Sequence, residues 1–263
     1  MPDQNPQGRL LAGQVAVVTG STRGIGAGMA KKFAEHGARV VVHGREGGEG
    51  EAVVAAMREC ASDALLVTGD LADAGHCRDL IRQAIGRFGQ LDILVNNAAS
   101  TERGNIENTS LEFWDTMLAV NLRAPFILCQ EAVKHMKDRH SGCIVNIGSV
   151  NARGGMRKLL PYSVSKGGLM TFTRNLANDL TRYRIRVNQI NPGWVLTEGE
   201  RYVQSVGEGR GEQWLEEAVK TRPFGRLITP EEIARAALFF ATNELITGAV
   251  LDYDQIPVGM PVE

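Results

Sequence analysis

Seven short runs of apolar, largely β-branched residues recur along the chain: VAVVT (15 to 19), RVVVH (39 to 43), ALLVT (64 to 68), DILVN (92 to 96), CIVNI (143 to 147), IRVNQI (185 to 190) and GAVLDY (248 to 253). Most are apolar throughout instead of alternating with polar residues, the pattern of strands covered on both faces. Between them lie helix-like stretches at 25 to 36, 50 to 60, 74 to 87, 111 to 137, 162 to 181 and 230 to 242. Thr229-Pro230-Glu231-Glu232 opens the last of these with a capping hydroxyl, a first-turn proline and acids at the positive end of the helix dipole. Strand and helix alternate throughout, which predicts an α/β chain with a doubly wound parallel sheet of about seven strands and helices on both faces.

At 263 residues the chain is long enough for a large core, and no Pro/Ser-rich linker, charge block or internal repeat divides it. One domain over residues 1 to 263 is expected, with an N-terminal tail at 1 to 13 and a C-terminal tail at 252 to 263. Twenty-nine basic and thirty acidic residues are interspersed, so no overall field favours nucleic acid or an anionic membrane. No apolar run reaches bilayer length, and a soluble cytoplasmic protein is expected. Cys60, Cys77, Cys129 and Cys143 are scattered with no CxxC, so free thiols are expected and no metal site.

The first strand runs into TGSTRGIG (19 to 26) and then into a helix. Gly20, Gly24 and Gly26, with Ser21, Thr22, Arg23 and Ile25 between them, allow a tight turn whose backbone amides approach a pyrophosphate, as in Rossmann-like folds. The alternative is a structural strand-to-helix turn. After the second strand, where an acid would hold the adenosine ribose of NAD, the sequence has His43-Gly44-Arg45-Glu46. A guanidinium suits a 2′-phosphate, and Arg23 supplies a second cation, so NADP(H) is favoured over NAD(H). Alternatively, Arg45 is solvated and Glu46 takes the ribose. Asp70, followed by Leu71, either accepts from the adenine amino group or caps the helix beginning near 74.

PYSVSKGG (161 to 168) sets Tyr162 and Lys166 one helical turn apart, as a working pair or as two residues sharing a helix face. Ser149 ends the strand CIVNI thirteen positions earlier, as a carbonyl donor or a turn residue. Asn121 lies inside a helical stretch, where Asn is locally unfavourable. It is either a surface position or a helix irregularity with a task.

With these residues in view, the sequence resembles the short-chain dehydrogenase/reductase family in its shorter, single-domain branch, over nearly the whole chain. TGSTRGIG is similar to that branch's TGxxxGxG turn, and NNAA (96 to 99) to its NNAG, with Ala99 replacing glycine. VNLRAPF, IGSVNA, PYSVSK, RVNQINPGWVLT and PFGRLITPEEIA follow in the family's order. The resemblance implies that Tyr162 is the acid/base and that Lys166 lowers its pKa and holds the nicotinamide ribose. It further implies that Ser149 orients the carbonyl and that Asn121 anchors a proton path. A phenol with its ordinary pKa of about 10 must shift by up to about three units to act as a base at neutral pH. Asn97, Ala98 and Val120 match positions along the cofactor, and Pro192, Gly193, Val195 and Thr197 match the stretch beside its nicotinamide.

The activity implied is hydride transfer between the cofactor and a secondary alcohol or carbonyl. An epimerase or dehydratase that keeps its cofactor, and a non-catalytic dinucleotide-binding regulator, are the alternatives. Glycine-rich residues 198 to 222 are expected to form a mobile lid over the substrate, or a plain surface loop. Asn151, Arg153, Trp194 and Glu198 are candidate substrate contacts, with Arg201 also on the lid. The cluster Arg153, Arg157 and Lys158 suggests a polar or anionic substrate such as a sugar, polyol or sugar acid, unless it is a solvated face. The resemblance also implies a homotetramer, and the apolar C-terminal tail is expected to pack on the body or on a neighbouring subunit.

Overall fold

A computed structural model of the protein describes residues 8–59, 62–154 and 156–257. Cys60 and positions 1–7 and 258–263 of the two tails lie outside the described residues. The apolar runs become strands β1 (Val15–Val18), β2 (Arg39–Gly44), β3 (Ala64–Thr68), β4 (Ile93–Asn96), β5 (Gly142–Ile147), β6 (Ile185–Pro192) and β7 (Val250–Tyr253). They form one sheet in the order β3-β2-β1-β4-β5-β6-β7, and every pairing is parallel. The order turns back on itself between β1 and β4, so a crevice opens beyond their carboxyl ends.

Side-chain alternation decides which helix layer each strand residue meets. Ala16 and Val18 point toward Met29 and Phe33 of α1 (Gly24–Glu35) and toward Ile233 and Phe240 of α9 (Pro230–Thr242). Val15 and Val17 point the other way. They join Leu80 of α3 (Ala74–Phe88), Leu128 of α5 (Ala124–Arg139) and Leu180 of α6 (Leu160–Leu180). Burial on both faces is why the strands read as continuous apolar runs. Helix α2 (Gly48–Glu59) covers the outer strands on the α1 side through Val54 and Met57.

One expectation and one alternative need correction. The stretch 111 to 137 is not one α-helix: α4 (Leu111–Leu118) passes through a π-turn at Ala119–Arg123 before α5 begins, and α5 runs on to Arg139. Residues 198 to 222 are not a plain loop either. They contain α7 (Glu198–Tyr202), a π-turn at Val203–Gly207 and α8 (Trp214–Lys220), anchored by Trp214 at 2% exposure. At Thr229 the expected helix start is present as a full capping box with Glu232.

The described thiols Cys77, Cys129 and Cys143 are free and buried. Among the described residues no cluster of His, Cys, Asp and Glu is arranged to hold a metal ion, and no helix is long and apolar enough to cross a membrane. Before its end the described chain packs on the body. Gly193 N–H donates to Tyr253 O at 2.9 Å, and the Gln255 side chain joins Phe224 N and Arg226 O.

Candidate active site

The turn after β1 is held by three conditions. Gly20 and Gly24 take left-handed backbone angles, φ +61° and +57°, which only glycine adopts without strain. At Gly26 a side chain would run into the Gly20 carbonyl oxygen, so the helix can lie this close to the turn only with hydrogen there. Asn97 Nδ2 donates to Thr19 O and Gly20 O at 2.9 and 3.0 Å, tying the end of β4 to the turn.

Ser21 and Thr22 serve the turn itself. Ser21 Oγ bonds Val18 O and His43 N, and Thr22 packs where a side chain on Gly44 would stand. Helix α1 starts at Arg23 without a side-chain cap and without an acid in its first turn. Its N-terminal amides are therefore left for an anion, which fits a dinucleotide pyrophosphate.

At the adenosine end Arg45 is exposed, with no ion pair or hydrogen bond among the described residues. Arg23 is also exposed and lies 3.9 Å from Glu49. Asp70 does not cap α3. Its carboxylate accepts from Ala72 N at 2.8 Å, and the cap is Asp73, which accepts from Gly75 N. Leu71 is buried beside it, and Ala98 and Val120 are partly buried. His43, whose role in the sequence is unmarked, is buried under the turn. Gly20 N lies 3.4 Å from its Nδ1, and its Nε2 lies 3.1 Å from His76 Nε2. Burial, with His76 adding, pulls its pKa down to about 4.

Of the four residues that the family pattern singles out, Ser149, Tyr162 and Lys166 meet at the carboxyl edge of β5, and Asn121 is bonded to α6 through Ser165. Ser149 follows that strand at 6% exposure, and its Oγ accepts from Asn151 N at 3.2 Å and Asn151 Nδ2 at 3.3 Å. Tyr162, in the first turn of α6, stands close enough to Ser149 for the serine hydroxyl to influence its titration. Burial raises its pKa above the usual phenol value; the Ser149 hydroxyl opposes this and the Glu200 carboxylate adds to it. Lys166 is 2% exposed, its Nζ donating to Ile147 O at 2.7 Å and standing 5.7 Å from the centre of the Tyr162 ring. Burial lowers its pKa to about 8.

Asn121 is the irregularity and not the surface position: it sits at the middle of the π-turn, 1% exposed. It accepts from Ser100 N at 2.8 Å and donates to Ser100 O and Ser165 Oγ at 2.9 and 3.1 Å.

Pro192, the last residue of β6, is buried, and beyond it Val195 pairs with Ile228. Thr197 caps α7 by accepting from Glu200 N at 3.0 Å. A side chain on Gly193 would collide with Asp254. Trp194 Nε1 donates to Glu200 Oε1 at 2.8 Å. Glu198 is exposed.

The basic cluster before Tyr162 is largely neutralised. Arg153 pairs with Asp252 through Nε at 3.1 Å and Nη2 at 3.0 Å. Lys158 Nζ lies 2.8 Å from Glu208, which also faces Arg103 Nε at 3.0 Å.

A buried polar chain that sequence reasoning missed braces the site. Asn96 donates to Asn146 at 2.8 Å, and Asn146 to Thr173 at 2.8 Å. Thr173 donates to Gln189 at 2.9 Å, and Gln189 to Asn191 Oδ1 at 2.7 Å. Asn191 also accepts from Ser149 N at 3.1 Å and donates to Asp252 at 2.8 Å, so the chain ends at the backbone of Ser149. Its only sequence signal is polar residues inside otherwise apolar strands.

This arrangement defines the class of protein. A family model described as enoyl-(acyl carrier protein) reductase matches residues 20–255. The chain is 37% identical over 244 residues to an uncharacterised oxidoreductase of Thermotoga maritima, covering 92% of this chain and 96% of that one. It is 32% identical over 233 residues to 3-oxoacyl-[acyl-carrier-protein] reductase of Chlamydia pneumoniae, covering 89% and 91%. Its structure matches that of a candidate NAD(P)-dependent gluconate 5-dehydrogenase from Beutenbergia cavernae, solved with NADP at low occupancy. There the TM-score is 0.85 and the identity 32%, over 94% of this chain and 98% of that one. The chain belongs to the short-chain dehydrogenase/reductase family of oxidoreductases, acting on alcohol and carbonyl groups.

Proposed function

We propose that this protein is an NADP(H)-preferring dehydrogenase or reductase of a secondary alcohol or its carbonyl, acting on a polar compound such as a sugar, polyol or sugar acid. The observation that carries the reading is the grouping of Ser149, Tyr162 and Lys166 at the carboxyl edge of β5, with only β4 between that strand and the one leading into an uncapped glycine turn. The cofactor, when bound, supplies or takes up the hydride. Its pyrophosphate belongs at the amides of residues 20 to 26, its 2′-phosphate near Arg45 and Arg23, and its nicotinamide end beside residues 192 to 197.

In reduction the Tyr162 hydroxyl gives its proton to the substrate oxygen; in oxidation the phenolate takes it back. Ser149 Oγ holds that oxygen by donating a hydrogen bond. Asn121, through Ser165 and the Ser100 backbone, fixes the π-turn against α6 and so holds the floor on which the proton is passed. Within the chain alone the Tyr162 pKa is raised, so base catalysis requires positive charge beside the phenol. Lys166 and the cationic oxidised cofactor are the sources in this reading.

The reading extends to a cytoplasmic homotetramer. A largely apolar groove along α4, the π-turn, α5 and α6, lined by Leu118, Leu122, Phe126 and Phe172 together with the charged Asp115 and Arg123, supports such an interface. Nicotinamide-fluorescence titration tests the cofactor assignment: tighter binding of NADPH than NADH supports it, and the reverse order overturns it. A panel of polyols, sugar acids, keto acids and hydroxysteroids, followed at the nicotinamide absorbance, tests the reaction.

A further inference from the structure

Two of the cations placed to greet an acidic substrate are already engaged, Arg153 by Asp252 and Lys158 by Glu208, while Arg157 and Arg201 stand exposed. A carboxylate holds the opposite position. Glu200 lies in the first turn of α7, three residues past Thr197, and is only partly exposed. Its Oε1 is fixed twice, by Trp194 Nε1 at 2.8 Å and by Gln204 Nε2 at 2.7 Å, and Gln204 itself is 6% exposed. Arg210 steadies Gln204 from the far side at 3.0 Å. Among the described residues Oε2 has no hydrogen bond or ion pair, so one acceptor of a rigidly held carboxylate is unspent. The same carboxylate is near enough to the Tyr162 hydroxyl to raise its pKa. Charged groups around this corner are Lys166 on α6, Glu200 on α7, Arg210 between α7 and α8, which also faces Glu217 at 3.8 Å, and Arg222 after α8, whose guanidinium is 5.7 Å from the Trp194 ring.

We propose that Glu200 is a specificity residue, selecting substrates that bring a hydroxyl or ammonium group to its free oxygen and rejecting those that bring a carboxylate. The inference rests on the alcohol/carbonyl reading above and narrows its substrate class: neutral polyols and amino alcohols over acids. A donor from the substrate pairs with Oε2, whereas a second carboxylate in this partly buried corner meets like charge that water screens poorly.

Three secondary alcohols that differ in one distal group test it: 4-amino-2-butanol, butane-1,3-diol and 3-hydroxybutyrate, each with NADP. The wild type is expected to give kcat/KM at least about tenfold higher for the first two than for the acid. Glu200→Gln keeps an acceptor for Trp194 and Gln204, and should erase most of that ratio by raising the acid. It should also move the alkaline rise of the oxidation rate to lower pH, because the charge that raises the Tyr162 pKa is gone. A Tyr162 titration followed by tyrosinate absorbance, with Tyr162→Phe subtracted, reads the same shift without substrate.

A wild type that prefers the acid, or that turns over neither of the other two, overturns the proposal. So does a Glu200→Gln protein with unchanged ratio and unchanged pH profile. If Tyr162→Phe abolishes turnover while the Glu200→Gln ratio stays fixed, this inference alone fails; if Tyr162→Phe stays active, the parent reading fails as well.

Discussion

Lys166 stands beside Tyr162 but bonds elsewhere: its Nζ is 5.7 Å from the centre of the Tyr162 ring, while its hydrogen bond goes to Ile147 O at 2.7 Å. A buried ammonium is thus fastened to the end of β5 before any ligand engages it. The arrangement costs stability, because the depressed pKa of about 8 means that folding opposes the charge.

Lys166→Met should therefore stabilise the fold. The folded pKa lies below the ordinary lysine value, so the cost is fully present below about pH 8 and fades as pH rises toward 10.5. After about 1 kcal/mol is lost by leaving Ile147 O without its donor, a net gain of about 2 kcal/mol is expected at pH 7. Denaturant unfolding at pH 7 and pH 10 reads it. Equal effects at both pH values would contradict the assignment of a buried, charged Lys166.

Arg45→Asp should weaken NADPH binding by about ten- to a hundredfold and leave NADH unchanged or tighter. The exposed guanidinium has no protein partner to lose, so stability should hold within about 0.5 kcal/mol. Parallel titrations of the two cofactors measure the change. Equal weakening of both would place Arg45 outside the 2′-phosphate site.

Glu208 ties the end of the π-turn after α7 to Arg103 and Lys158, two segments that already meet where Gly104 N donates to Lys158 O. Glu208→Gln should raise amide exchange across residues 198 to 211 while changing global stability by less than about 1 kcal/mol. Contact with Lys158 holds the Glu208 pKa below the usual carboxylate value, so the tie persists at neutral pH and is lost as pH falls through the lowered value, below 4.5. Unaltered exchange in the variant would show that the tie does not restrain this segment.

Asn191→Leu should cost about 2 to 4 kcal/mol, because the buried Ser149 N–H, the Gln189 amide and Asp252 would all lose a partner. It should also lower kcat, since the backbone that carries Ser149 would lose its brace. A loss under about 1 kcal/mol with normal turnover would remove Asn191 from the support of the site.

Much of this was legible from local pattern. Strands such as VAVVT are apolar because helices cover both faces, and Gly20, Gly24 and Gly26 are glycines because backbone geometry or a close contact requires it. Asn121 was legible only as a conflict: a poor helix former inside a helix either faces water or marks an irregular turn, and the π-turn decides. What local pattern could not carry was pairing at a distance. Arg153 and Lys158 read as free cations, yet their carboxylates come from 99 and 50 residues further along the chain. The glycines of residues 198 to 211 likewise concealed α7, whose anchors are the Thr197 cap and the Trp194–Glu200–Gln204 bonds.

The central claim is that Tyr162 moves the proton, and a single variant tests it most directly. Tyr162→Phe removes only a hydroxyl, leaving Lys166, Ser149 and the glycine turn in place. NADPH should bind it as tightly as it binds the wild type, while turnover of any alcohol or carbonyl accepted by the wild type should fall by at least about a thousandfold, consistent with loss of general acid/base catalysis. Full turnover in this variant, with normal cofactor binding, would contradict the account.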